Sequence, residues 1–123
     1  MREIKFRIWD DNLKVLYTPE KDDEIKNLWR LPEMNGGRLI VEDHIKVMQF
    51  TGLHDKNGKE IYEDDIVKDK YHSIGTVQYA LNIGGFISRI DKEDSVLEIQ
   101  LDQRRNEFEV IGNIYENPEL LNQ

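Results

Sequence analysis

The sequence contains no cysteine. That excludes disulfides, thiolate zinc sites and a cysteine nucleophile. No apolar run approaches the ~20 residues that a bilayer-spanning helix needs. The opening Met1-Arg2-Glu3-Ile4-Lys5 is charged and has no apolar stretch of the kind a secretory signal carries. These absences set the expectation of a cytoplasmic protein with no membrane partner. Positive charge is scarce as well: 17 Lys and Arg stand against 25 Asp and Glu, a formal net charge of −8. An acidic surface repels phosphate backbones, so direct nucleic-acid binding is disfavoured. Arg104-Arg105, the densest basic pair, sits among acids. Solubility is the simplest role for so much negative charge.

The signatures of chemistry are missing too. Ser73, Ser88 and Ser95 lie in no G-x-S-x-G elbow. His44, His54 and His72 form neither H-x-x-x-H nor H-E-x-x-H. Gly36-Gly37 and Gly84-Gly85 are isolated pairs outside any phosphate-binding glycine pattern, and read as turns. The one cluster with metal-ligand chemistry is Asp55, Glu63, Asp64 and Asp65, all hard oxygen donors. Adjacent carboxylates on a strand point to opposite faces, and the spacing is not that of an EF-hand. The sequence therefore assigns no catalytic, cofactor-binding or metal residue and no cofactor, and leans against an enzyme.

What is present is a pattern of short strands. The 123 residues fit one domain, 1–123, with 18–45 as an irregular or inserted segment. Ile4, Phe6 and Ile8 alternate with Lys5, Arg7 and Trp9, the period of a half-buried strand. Asp10-Asp11-Asn12 supplies a turn and Leu13 to Tyr17 returns, giving an opening hairpin. Glu24 to Leu31 has helical spacing, ended by Pro32. Short strands follow at Arg38–Val41 and Lys46–Phe50. Asn57-Gly58 is a strong turn signal, and Glu63-Asp64-Asp65 is a second corner. Strands are expected at 65–71, 75–81, 86–90, from Val96 to Leu101 with a loop after it, and around Phe108 to Ile111. Asn117-Pro118 reads as N-cap and first residue of a closing helix that packs Leu120 and Leu121 on the sheet. The class is mainly β, a small barrel or sandwich with one or two short helices.

Three tracts carry a family resemblance. Gln49-Phe50-Thr51-Gly52-Leu53-His54-Asp55-Lys56-Asn57-Gly58-Lys59-Glu60-Ile61-Tyr62-Glu63-Asp64-Asp65-Ile66-Val67 closely resembles the central signature of the YopX-like proteins. Val110 to Leu121 resembles their C-terminal signature, and Arg2 to Asp10 their start. The resemblance implies an all-β fold with an SH3-like barrel and a phage or prophage setting. It brings no established activity, hence no catalytic residues. The family usually has glycine where this chain has Asp64, which puts an aspartate in a turn that favours left-handed backbone. Asp65 is expected to accept backbone N–H bonds and fix that corner.

The function expected on these grounds is a non-enzymatic accessory protein that binds a protein partner or its own copies. If aromatic side chains line a groove for that partner, Trp9, Tyr62 and Tyr79 are the first candidates. Core packing is the competing role for each. Two other readings stand beside it: a carboxylate- or metal-dependent enzyme using at least two of Asp55, Glu63, Asp64 and Asp65, and an acidic mimic of nucleic acid that blocks a host protein.

Overall fold

The computed structural model describes residues 5–19, 43–104 and 107–122. The chain folds as two compact units, 1–50 and 51–123. Among the described residues, nine strands form two antiparallel sheets, one of four strands and one of five. The mainly β class read from the sequence is what the structure shows. Strand order by itself does not assign an SH3-type closure. The helix expected over Glu24–Leu31 and the strand expected over Arg38–Val41 lie outside the described residues.

In the first unit, β1 (Phe6–Asp10) pairs with β2 (Val15–Tyr17) through Trp9 opposite Leu16. The hairpin turn is the one the sequence indicates, and its chemistry is explicit. Asp10 Oδ1 accepts the amides of Asn12 and Leu13, and the Lys14 amide reaches the Asp10 carbonyl at 2.8 Å. Lys14 closes the turn at φ 57°. On its other side β1 pairs with β3 (Ile45–His54), Arg7 opposite Met48. The more deeply buried face of β1 carries Arg7 and Trp9, while Phe6 and Ile8 are half-buried. Alternation fixed the period of this strand without fixing which face goes in. Trp9 is the largest side chain available for burial, and the long Arg7 lies inside with its Nε–H 3.4 Å from Met48 Sδ.

The second unit is built on β4 (Glu60–Tyr62), β5 (Asp65–Lys68), β6 (Ile74–Ala80), β7 (Gly85–Asp91), β8 (Val96–Gln100) and β9 (Glu109–Asn113). The strands run in the orders β2-β1-β3-β4 and β8-β7-β6-β5-β9. The core of this unit gathers Ile61, Val67, Val77, Phe86, Leu101, Phe108 and Val110, with Leu53 and Ile99 packed against it. Each fully buried side chain of this size contributes roughly 1.5–3 kcal/mol, so this cluster is the main source of the unit's stability. β5 is inside its sheet and buries Asp65, Ile66 and Val67 in succession. A strand covered on both faces has no polar side, which is why 65–67 does not alternate. A bulge between Ile66 and Val67 shifts its register against β9.

Two details depart from the sequence reading. β8 stops at Gln100, and Leu101, expected to close that strand ahead of a loop, starts a single helical turn, α1 (Leu101–Arg104). The closing helix is a 3-10 turn over Pro118–Asn122. Asn117 takes the Leu120 amide on its carbonyl at 3.1 Å, but its side chain turns back to accept from the Asn113 amide at 3.2 Å.

Candidate functional site

Two of the four acids that read as possible ligands, Asp55 and Asp65, are committed to the backbone. Asp55 is 6% exposed. Its Oδ1 accepts the amides of Asn57 and Lys59 at 2.8 and 2.9 Å, and its Oδ2 accepts the amide of Val110, 55 residues away, at 2.9 Å. Gly58 completes that turn at φ 83°, where a side chain would be strained. Asp65, 1% exposed, accepts the Tyr62 amide at 2.8 Å, as the sequence led us to expect. Among the described residues no three His, Asp or Glu gather in a way that would hold a metal ion.

The same turn occurs a second time, which sequence reading missed. Asp69 Oδ1 accepts the amides of Tyr71 and Ser73, its carbonyl takes the His72 amide, and its own amide reaches the Ser73 carbonyl. These are the relations Asp55 has with Asn57, Lys59 and Gly58. The position of Gly58 is held here by His72, at φ 66°. A left-handed histidine costs about 1 kcal/mol relative to ordinary backbone, which hides the turn in sequence and asks what the imidazole is for. His72→Gly should therefore raise stability by about 0.5–1 kcal/mol in urea denaturation, since it removes the Cβ strain and keeps the turn.

Of the aromatic candidates, Trp9 is buried in the first unit, and its Nε1–H donates to Asp11 Oδ1 at 3.2 Å. The Lys14 ammonium first, and then this indole, hold the Asp11 carboxyl below its ordinary value. Tyr62 is buried in the second unit and its hydroxyl donates to Glu60 at 3.3 Å. Tyr79 is 43% exposed and meets Phe86 edge-on, with ring centroids 5.2 Å apart. It is the candidate with most surface to offer.

Tyr79 stands beside an apolar hairpin tip. The loop between β6 and β7 leaves Leu81 89% exposed and Ile83 43% exposed. At the opposite end of this hairpin lies a groove of about 470 Å³. His72, Ser73, Thr76, Arg89, Asp91 and Lys92 give it a polar lining. Ile74 and Ile90 from the sheet, with Leu120 and Leu121 of the 3-10 turn, give it an apolar one. Arg89 Nε donates to Asp91 Oδ1 at 3.1 Å. The groove draws on three separated stretches, so no local motif announces it.

The family model of the YopX protein matches residues 5–122. The chain belongs to the YopX family. It is similar to protein EF1440 from Enterococcus faecalis, whose crystal structure superposes with a TM-score of 0.61 at 29% identity, over 98% of this chain and 99% of that one. No curated protein matches the chain. Membership gives meaning to Asp64, where the resemblance led us to expect glycine. Asp64 adopts φ 67°, the conformation glycine would take freely. Its amide reaches the Val77 carbonyl, its carbonyl takes the Ile114 amide, and its Oδ2 accepts the Tyr115 hydroxyl at 2.9 Å. The side chain offsets its backbone strain by tying the corner to the C-terminal signature. Asp64→Gly trades about 1 kcal/mol of strain relief for a hydrogen bond of similar worth, and should leave the denaturation midpoint within error. Asp64→Ala keeps the strain and loses the bond, so it should cost about 1 kcal/mol by the same measurement.

Proposed function

We propose that this protein is a phage- or prophage-encoded accessory protein that works in the bacterial cytoplasm as a non-enzymatic binding module. Its partner is another protein chain or a further copy of itself. The observation that carries this reading is the β6–β7 tip, where Leu81, Ile83 and Tyr79 stay in solvent together. The chain is only 38% hydrophobic, and three large apolar side chains grouped at one hairpin tip, two on the loop and Tyr79 at the end of β6, are more than scattered surface exposure. The aromatic is of the kind enriched in interface centres. The commitment of Asp55 and Asp65 to their own turns supports the same reading, because it occupies two of the four acids a carboxylate-based reaction would have drawn on.

Affinity capture from host cells tests it, run in parallel with the tagged chain and a Leu81→Ser/Ile83→Ser variant, with light scattering on both. The reading expects a captured protein, or self-association, that the variant loses. The same proteins and the same mass for both chains would overturn it.

A further inference from the structure

We infer that the groove under the C-terminal 3-10 turn is a binding site for a small ligand that carries an oxyanion, a carboxylate or a phosphate, on an apolar body. This site stands apart from the hairpin tip. The six steps of β6 separate the two by roughly 20 Å.

Four observations converge. The first is charge. The chain has more acids than bases, yet the groove reverses the balance, with Arg89 and Lys92 against Asp91 alone. Asp91 engages Arg89 through Nε, which leaves the terminal guanidinium nitrogens to point their donors elsewhere. The second is the pattern of donors. Ser73 and Thr76 add hydroxyls, and Thr76 Oγ1 already accepts from Gln78 Nε2 at 3.0 Å, so its own O–H is what it has to give. Guanidinium, ammonium and hydroxyl donors together suit an acceptor-only anion.

The third is His72. The turn at Asp69 repeats the turn at Asp55 bond for bond, and glycine serves at the matching position there. A strained residue that lines a cavity is a mark of use. The fourth is shape. The volume lies in the range of small-ligand sites, and Ile74, Leu120 and Leu121 supply apolar wall beside the polar edge. An inorganic ion would leave that wall unused, so the ligand has a hydrocarbon part.

Two-dimensional amide NMR of the full chain tests the inference, titrated in separate arms with phenyl phosphate and with hexanoate, and with chloride at matched ionic strength. Saturable shifts confined to residues 72–76, 89–92 and 120–121 are expected in one arm, and the responding arm names the anion. Arg89→Gln/Lys92→Gln should abolish saturation. His72→Gly should weaken binding by about 3-fold, the size of one partly exposed polar contact, with the remaining spectrum intact. Unchanged spectra in both arms, or shifts that persist in Arg89→Gln/Lys92→Gln or match those from chloride, would overturn it.

Discussion

Replacing Asp55 with alanine is expected to lower the stability of the protein by about 3–4 kcal/mol, because three amides lose a charged acceptor at once. Two belong to its own turn, Asn57 and Lys59, and the third is Val110. The turn alone would be a local loss that water could partly make good. The Val110 bond is buried, so its N–H would be left unpaired. Asp55→Asn separates the two parts. Its oxygen can still serve the turn, while its amide group would face the Val110 N–H, donor against donor. A loss of about 2 kcal/mol is expected for this variant, between wild type and alanine. Urea denaturation of the three proteins measures the order. Equal stability of wild type and Asp55→Ala would mean that the carboxylate is held for something other than the fold.

Gly75→Ala should cost about 2–3 kcal/mol, the range for adding a methyl group where there is no room. A Cβ at Gly75 would run into Ser88 Oγ. It would also lie 2.9 Å from the Arg89 carbonyl oxygen and 3.0 Å from Ile90 Cγ1. Ser88 is 1% exposed and cannot swing into solvent. The neighbouring backbone cannot yield without disturbing the β6–β7 ladder, in which Thr76 opposes Arg89. Adding Ser88→Ala removes one of the three collisions. The double variant should therefore recover part of the loss and not all of it, a non-additive result of the kind contacting residues give. Thermal denaturation of both variants reads the effect. The change also sits between Ile74 and Thr76 in the groove wall, so Gly75→Ala is a poor probe of binding and a good one of packing.

The sequence made the corners legible because turns are local. Asn57-Gly58 and Asp10-Asp11-Asn12 announce themselves through residues that tolerate or cap turned backbone, and both are where the structure turns. Asp65 was readable for the same reason. The Asp69 turn was not, because the strand expected over 65–71 ran on through Asp69 and Tyr71, past the end of β5 at Lys68. Val110 could not be connected to Asp55 in advance, since no local pattern encodes a contact across 55 positions. Leu101 shows a further limit. Its apolar side chain suits a strand or a buried helical turn equally, and only the core around it decides. The groove was invisible for the same reason as the Val110 bond, being assembled from residues near 72, 90 and 120. The aromatic candidates illustrate the converse. Trp9, Tyr62 and Tyr79 look alike as residue types, and burial separates the first two from the third.

The family signature thus reads as scaffold, with Asp55, Asp64 and Asp65 holding its corners. Amide hydrogen exchange at Asn57, Lys59, Tyr62 and Val110 tests this most directly, because each of these N–H groups donates to a signature carboxylate. The account predicts that all four exchange slowly in the wild type, with Val110 among the slowest core amides. It predicts that Asn57, Lys59 and Val110 speed up together in Asp55→Ala. Exchange at open-loop rates in the wild-type protein would contradict it and return the carboxylates to the list of groups free to do chemistry.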